Sequence, residues 1–232
     1  ADIWGFSIPR LLGIEGRLEA NKDKKIVPYK RGGLEVVSTG LITDDEDTAL
    51  MWRGLMLSKA LEQFLFDVEW GNLDYLVIDL PPGTGDIQMA LGRLLPQTEL
   101  VVVTTPQLSA QKVATRVADM AKRSFIPLLG VVENMSYFES GDGNKYNIFG
   151  KGGGDELSEK FGIPLLSKIP ISEDSIEESE NGTPILLQNN KTPTKEAMQD
   201  LVNTIIKVLP PVSDETCTGR LAKVLEELEV EA

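Results

Sequence analysis

What most constrains this chain is its alternation of short apolar runs with stretches of helical period. DYLVIDL (Asp74 to Leu80) and ELVVVTTP (Glu99 to Pro106) are apolar on both faces. Such strands belong to a parallel sheet covered by helices, because a sheet with one wet face alternates polar and apolar residues. VVSTGLI (Val36 to Ile42), PLLGVVEN (Pro127 to Asn134) and PLLSKIPI (Pro164 to Ile171) read as further strands. Helical period fills the intervals. Within Asp47 to Val68 the apolar positions are Leu57, Leu61, Phe64, Leu65 and Val68. Ser109 to Lys122 sets Val113, Val117 and Met120 along one side, and Thr194 to Val208 carries Met198, Leu201, Ile205 and Val208. Gly85 to Leu95 and DELSEKFG (Asp155 to Gly162) are shorter helices. Strands alternating with helices predict βαβ units, and hence an α/β fold with a doubly wound, mostly parallel sheet. PPVSDETCTG reads as a linker and RLAKVLEELEVEA as an acidic helix, which predicts a domain over 1–209 and a tail over 210–232.

Composition narrows the chemistry. The 232 residues contain no histidine and one cysteine, Cys217. A Ser-His-Asp triad, a His-based zinc site and an internal disulfide are therefore excluded. The single thiol points to a reducing, cytoplasmic setting. Net charge is −13, which argues against nucleic acid or an anionic membrane as partner. No apolar run approaches the ~20 residues of a membrane span. The opening ADIWGFSIP has no signal-peptide pattern. It also lacks an initiator methionine and starts on what looks like a strand end, so the expectation is that the chain begins inside a domain.

In open α/β sheets ligands bind beyond the carboxyl ends of the strands. Asp2, Asp79, Thr104 to Pro106, Asn134 and Pro170 all fall there. Asp79 ends an apolar strand, where one carboxylate can hold Mg²⁺ directly or through water. Pro81 and Pro82 stiffen the loop that follows. Gly83, Thr84 and Gly85 free its second half, and the glycines let backbone amides approach a terminal phosphate.

DYLVIDLPPGTGDIQ, VVVTTPQ, GVVENMSYF and IFGKGGG occur together in this order. With them the chain resembles the Mrp (ApbC-like) iron–sulfur cluster carrier ATPases, deviant-Walker P-loop NTPases related to MinD and ParA. The resemblance runs from ADIWGFSIP to about Pro184. It implies a P-loop NTPase fold, ATP and Mg²⁺ as cofactors, a homodimer closing over two nucleotides, and iron–sulfur apoproteins as clients. Asp79 matches the Walker B aspartate, and Asp2 the switch aspartate that positions the attacking water. Pro82, Gly83, Thr84 and Gly85 match the phosphate-facing loop, Asn134 the asparagine on the adenine edge, and Pro170 the backbone lining the base pocket.

The chain departs from that family in two respects that matter. No Gly-x-x-x-x-Gly-Lys-Ser/Thr string is present; the only Gly-Lys pair, Gly150-Lys151, is followed by Gly152. In the family the P-loop unit precedes the ADI string, so it is expected upstream of residue 1, and the chain as given is expected to bind ATP poorly and not to hydrolyse it. The family's Cys-x-x-Cys after VENMS, which bridges a cluster between two subunits, falls on Ser140 and Gly143. A hydroxyl and a hydrogen do not replace two thiolates. An iron–sulfur cluster would depend on Cys217. Trp4, Phe6 and Leu55 are apolar replacements of little consequence. GKGGG (Gly150 to Gly154) reads as a flexible loop or an anion-holding one, Lys112 as a solvated lysine or a phosphate or partner contact, and Arg53 as an exposed or a subunit-facing arginine. A positioning ATPase of the MinD or ParA kind remains an alternative, although neither a basic membrane helix nor a basic DNA face is seen. So does an interaction module that does not hydrolyse nucleotide.

Overall fold

The computed structural model describes residues 7–42, 55–82, 86–172 and 179–211. Its centre is a parallel sheet of three strands, β5 (Leu100–Thr104), β6 (Leu128–Glu133) and β9 (Leu165–Lys168), in the order β5-β6-β9. The pairing sets Val102 opposite Val131, and Val103 opposite Val132. Successive side chains point to opposite faces, so Val102 and Val131 share one face. Against them pack α4 (Leu108–Arg123) and α5 (Gly153–Phe161), through Ala114, Ala118 and Leu157. Ser167 lies opposite Val132 on the other face. There α6 (Pro193–Val208) covers β9, and the Ser167 hydroxyl donates to the Ala197 carbonyl at 3.3 Å. One face is thus covered along the sheet and the other at β9, while Val103 of β5 on that second face stays 60% exposed, so the two-sided cover its apolar strands predict is met only in part.

α3 (Asp86–Leu94) and α4 to α6 begin and end close to the positions expected; α2 is described over Leu55–Phe66, and its expected start at Asp47 lies outside the described residues. Thr192 caps α6, its hydroxyl accepting the Lys195 amide at 3.1 Å, and Pro193 at the first helical position needs no partner for an N–H it lacks. Leu61, Phe64 and Val68 are buried with Ile87 and Leu91 of α3 in a second core. Each such side chain contributes about 1.5–3 kcal/mol on burial. On α4 the buried face is Ala114, Ala118 and Ala121 rather than the expected valine side, and Val113 is exposed. Small side chains let the helix lie close to β5. Val208 of α6 is also exposed.

Two of the expected strands are absent. β4 (Leu34–Val36) ends where the VVSTGLI strand was expected to begin, and Thr39–Leu41 is a 3₁₀ turn. Its cause is local: the Ser38 hydroxyl accepts the Gly40 amide at 3.1 Å, offering the backbone an alternative to a ladder. DYLVIDL forms no ladder among the described residues, Asp79 making an isolated bridge. Ile78 and Leu80 pack on the α2–α3 core, but Val77 stays 77% exposed. A strand is stable only when a neighbour satisfies its amides and covers its second face, and α2 and α3 supply one face alone.

Three antiparallel ribbons complete the described residues. They are β1 (Glu19–Ala20) with β2 (Ile26–Val27), β3 (Tyr29–Arg31) with β4, and β7 (Phe138–Glu139) with β8 (Lys145–Tyr146). The sheet expectation was for mostly parallel pairing; it holds for the central sheet, and the short hairpins add antiparallel pairs around it. Among the described residues no helix is long and apolar enough to cross a membrane.

Candidate functional site: the strand ends

The carboxyl ends of β5, β6 and β9 meet through backbone hydrogen bonds that continue past the ladder. The Asn134 amide donates to the Thr104 carbonyl at 2.7 Å, and the Ile169 amide donates to the Glu133 carbonyl at 2.8 Å. Beyond them the Ser136 amide reaches Ile169 at 2.9 Å, and the Ile171 amide reaches Tyr137 at 2.8 Å. Asn134 and Pro170 are therefore brought together, as expected, beside Thr104 and Thr105. The Pro170 carbonyl is held from behind by the buried Thr194 hydroxyl at 2.9 Å. α6 thus fixes the backbone that flanks Asn134.

Asn134 occupies a tight turn. Its Oδ1 accepts the Met135 amide at 2.9 Å, and Met135 takes a left-handed φ of 54°. The Asn134 Nδ2 has no partner among the described residues. The buried Thr105 hydroxyl is likewise unsatisfied. A buried hydroxyl without a partner is uncommon in a folded protein and marks a place where a ligand or water completes the bonding. An amide donor, a hydroxyl and Pro170 thus lie at the neighbouring carboxyl ends of β5, β6 and β9.

Asp79 lies elsewhere. It is exposed, and it lines a cavity of about 400 Å³ walled by Ile8, Val36, Trp70, Tyr75 and Val77. No hydrogen bond joins it to the strand ends among the described residues. DYLVIDL pairs with none of β5, β6 and β9, so no ladder register sets Asp79 beside Thr105 and Asn134. Pro82 is exposed, and the preceding Pro81 carbonyl accepts from the Gln88 side chain of α3 at 3.1 Å. Asp2, Gly83, Thr84, Gly85, Arg53 and Cys217 lie outside the described residues, as does the C-terminal helix. Among the described residues no group of His, Cys, Asp and Glu is clustered for a metal ion.

The hairpin β7–β8 presents Ser140 and Gly143. The Gly143 amide donates to the Ser140 carbonyl at 2.8 Å, and Gly143 takes φ 81°. Asp142 gathers the turn: it accepts from the Ser140 hydroxyl, from the Asn144 amide at 3.2 Å and from the Asn144 side chain at 2.7 Å. Lys145 sits 4.3 Å from the centre of the Tyr137 ring, a cation–π contact at the hairpin's base. The hydrogen bond from Ser140, then those from Asn144, hold the Asp142 carboxyl below its ordinary value of 3.8. A depressed carboxyl pKa stabilises the fold above its unfolded value and loses that contribution as pH falls through the folded one. The turn is therefore expected to stay intact from neutrality down to about pH 4 and to loosen only below it. A pH titration of the Asn144 amide resonance checks this; a midpoint above the ordinary carboxyl value would contradict it.

GKGGG is ordered by close approach. Gly152, at φ 82°, precedes α5, and a Cβ on Gly153 would meet Pro106 Cα at 3.0 Å. The first turn of α5 already receives a carboxylate, that of Glu133, so the anion-holding reading of this loop is not supported. Lys112 is exposed on α4. The functional reading passed over Glu133, Ser136 and Thr194. A clue was present in a charged residue ending the otherwise apolar LLGVVE run.

Comparison with known proteins places these features in a family. A family model described as ParA: NUBPL iron-transfer P-loop NTPase matches residues 1–206. An iron-sulfur cluster carrier protein of Aquifex aeolicus is 41% identical over 211 residues, covering 90% of this chain and 58% of that protein. One from Saccharolobus solfataricus is 37% identical, covering 90% of this chain and 71% of the relative. The chain thus spans a little over half the length of the Aquifex relative. A nucleotide-binding protein of Archaeoglobus fulgidus, solved in complex with ADP, superposes with a TM-score of 0.66 at 33% identity, over 84% of this chain and 76% of its own. A chain of the MinC:MinD cell division protein complex of Aquifex aeolicus shares the fold, with a TM-score of 0.55 at 18% identity, over 90% of this chain and 81% of its own. The chain belongs to the ParA-type, NUBPL-like iron-transfer P-loop NTPases.

Proposed function

We propose that this protein is a nucleotide-dependent carrier of iron–sulfur clusters that acts as a homodimer in the cytoplasm and delivers its cargo to apoprotein clients. The observation that carries the nucleotide half of this reading is the meeting of Asn134, Pro170 and the unsatisfied Thr105 hydroxyl at the strand ends. Asn134 Nδ2 is free to donate to a ring nitrogen of adenine, the Pro170 segment offers an apolar wall, and Thr105 supplies a second polar group. These residues fit the base end of ATP. Asp79 is an exposed carboxylate suited to holding Mg²⁺ through water, and the metal would supply charge neutralisation at the phosphates. Relatives named as iron–sulfur cluster carriers support the cargo half.

The cargo's ligands differ from the family's. With Ser140 and Gly143 in place of the bridging cysteines, residues 1–232 offer a homodimer two thiolates, one Cys217 from each copy, short of the four a cluster normally takes. The remaining ligands would come from glutathione, water or a client, which makes the bound cluster labile and easily handed on. Anaerobic incubation with iron and sulfide is expected to give a substoichiometric cluster in the native protein and none in Cys217→Ser. A full, stable cluster in the cysteine-free variant would sink the ligand assignment. Background iron in the native protein would sink the carrier reading.

A further inference from the structure

Glu133 is an acidic side chain in the core, 1% exposed, at the last position of β6. Its Oε2 accepts the Gly154 amide at 2.5 Å, in the first turn of α5. Its Oε1 accepts the Ser136 hydroxyl at 2.5 Å. No cation pairs with it among the described residues. A carboxylate withdrawn from water without a counter-ion is costly unless donors replace the water. Here a backbone amide, a hydroxyl and the positive end of α5 do so. The two donors belong to separate pieces of structure. Gly154 closes the GKGGG run; Ser136 closes the turn that carries Asn134. Gly154 is needed for the approach, because a Cβ there would sit 2.8 Å from Glu133 Cβ and 2.9 Å from Leu165 Cδ1. The turn itself includes Met135 in the left-handed region, a conformation that persists only when its surroundings hold it.

We propose that Glu133 is a positioning residue for base recognition: its carboxylate locks the Glu133–Ser136 turn, and Asn134 with it, to the first turn of α5. GKGGG and the base-reading amide then move as one unit, so a change at either is felt at the other. The coupling rests on the reading of Asn134 as the base-facing residue only for its consequence in nucleotide choice; as mechanics it stands on the contacts of Glu133.

The test uses Glu133→Ala, Glu133→Gln, Ser136→Ala and Asn134→Ala, followed by residue-resolved amide exchange without nucleotide in residues 1–232 and by competition of ATP against GTP in the full reading frame of the gene. In Glu133→Ala, exchange at Gly154 and at Met135–Ser136 is expected to rise together by about tenfold or more, with α6 unchanged. Glu133→Gln, which keeps an acceptor for Gly154 and places a donor beside the Ser136 oxygen, restores protection at both. Ser136→Ala loosens Gly154 although it does not touch it. Loosening confined to one of the two segments, or spread evenly over the whole sheet, overturns the proposal. For nucleotide choice, Glu133→Ala should lower the ATP preference to that of Asn134→Ala, and Glu133→Gln should recover it. If Asn134→Ala leaves the preference intact, the base-reading role fails, while the exchange data still decide the coupling.

Discussion

Asp79→Asn is expected to lower Mg²⁺-dependent ATP turnover at least about 100-fold, the scale on which loss of one preorganised electrostatic group slows an enzyme, with the fold unchanged. Turnover is to be assayed in the full reading frame of the gene. The carboxylate is exposed and has no side-chain partner among the described residues, so an isosteric amide leaves no buried group unpaired. Stability should therefore change by less than about 0.5 kcal/mol. What the amide removes is the negative charge proposed to hold a hydrated Mg²⁺ beside the phosphates, and phosphoryl transfer depends almost wholly on positioning and charge. Steady-state kinetics with a parallel thermal melt separate the two effects. Undiminished turnover in a folded variant would remove Asp79 from the metal site.

The second large effect concerns cargo. Ser140→Cys with Gly143→Cys is expected to raise iron from a substoichiometric level to about one four-iron cluster per dimer, because two copies then present four thiolates. The turn suits this. Ser140 and Gly143 are joined by one backbone hydrogen bond, and the intervening residues are exposed, so the new thiolates face outwards, where a second subunit can approach. Gly143 at φ 81° makes the second substitution strained, at a cost of about 1–2 kcal/mol for a side chain in that region. No atom lies within 4 Å of the added Cβ, so the cost is confined to the backbone. Each single variant should bind little more iron than the native protein. Iron per dimer and the visible charge-transfer band report the outcome. A folded double variant that binds no additional iron would show that this hairpin does not correspond to the family's cluster loop.

The sequence by itself determined the central sheet. ELVVVTTP is apolar on both faces, a strand of a kind that has few stable places except between neighbours and under helices, and PLLGVVEN and PLLSKIPI are short apolar runs separated from it by helical stretches. The helices were legible too, because capping and 3.6-residue period act within one element: Thr192 and Pro193 start α6 by contacts a few residues long. Asn134 and Pro170 could be placed at one edge for the same reason, since the strands that end there are themselves well specified.

Only the tertiary structure decided the rest. DYLVIDL has as strong an apolar pattern as any run in the chain, yet it makes no ladder among the described residues, because pairing needs a partner strand and no local pattern provides one. Asp79 lines a cavity with Trp70, Tyr75 and Val77, outside the β5-β6-β9 ladder. The buried side of α4 was misplaced for a similar reason: period identifies a stripe, but the spacing of helix and sheet selects the alanines over the valine. Glu133 is the clearest case. In the sequence it is one charged residue after an apolar run. Its role depends on Gly154, twenty-one positions further on, coming within hydrogen-bonding distance, and only the packing of α5 on β6 brings the two together.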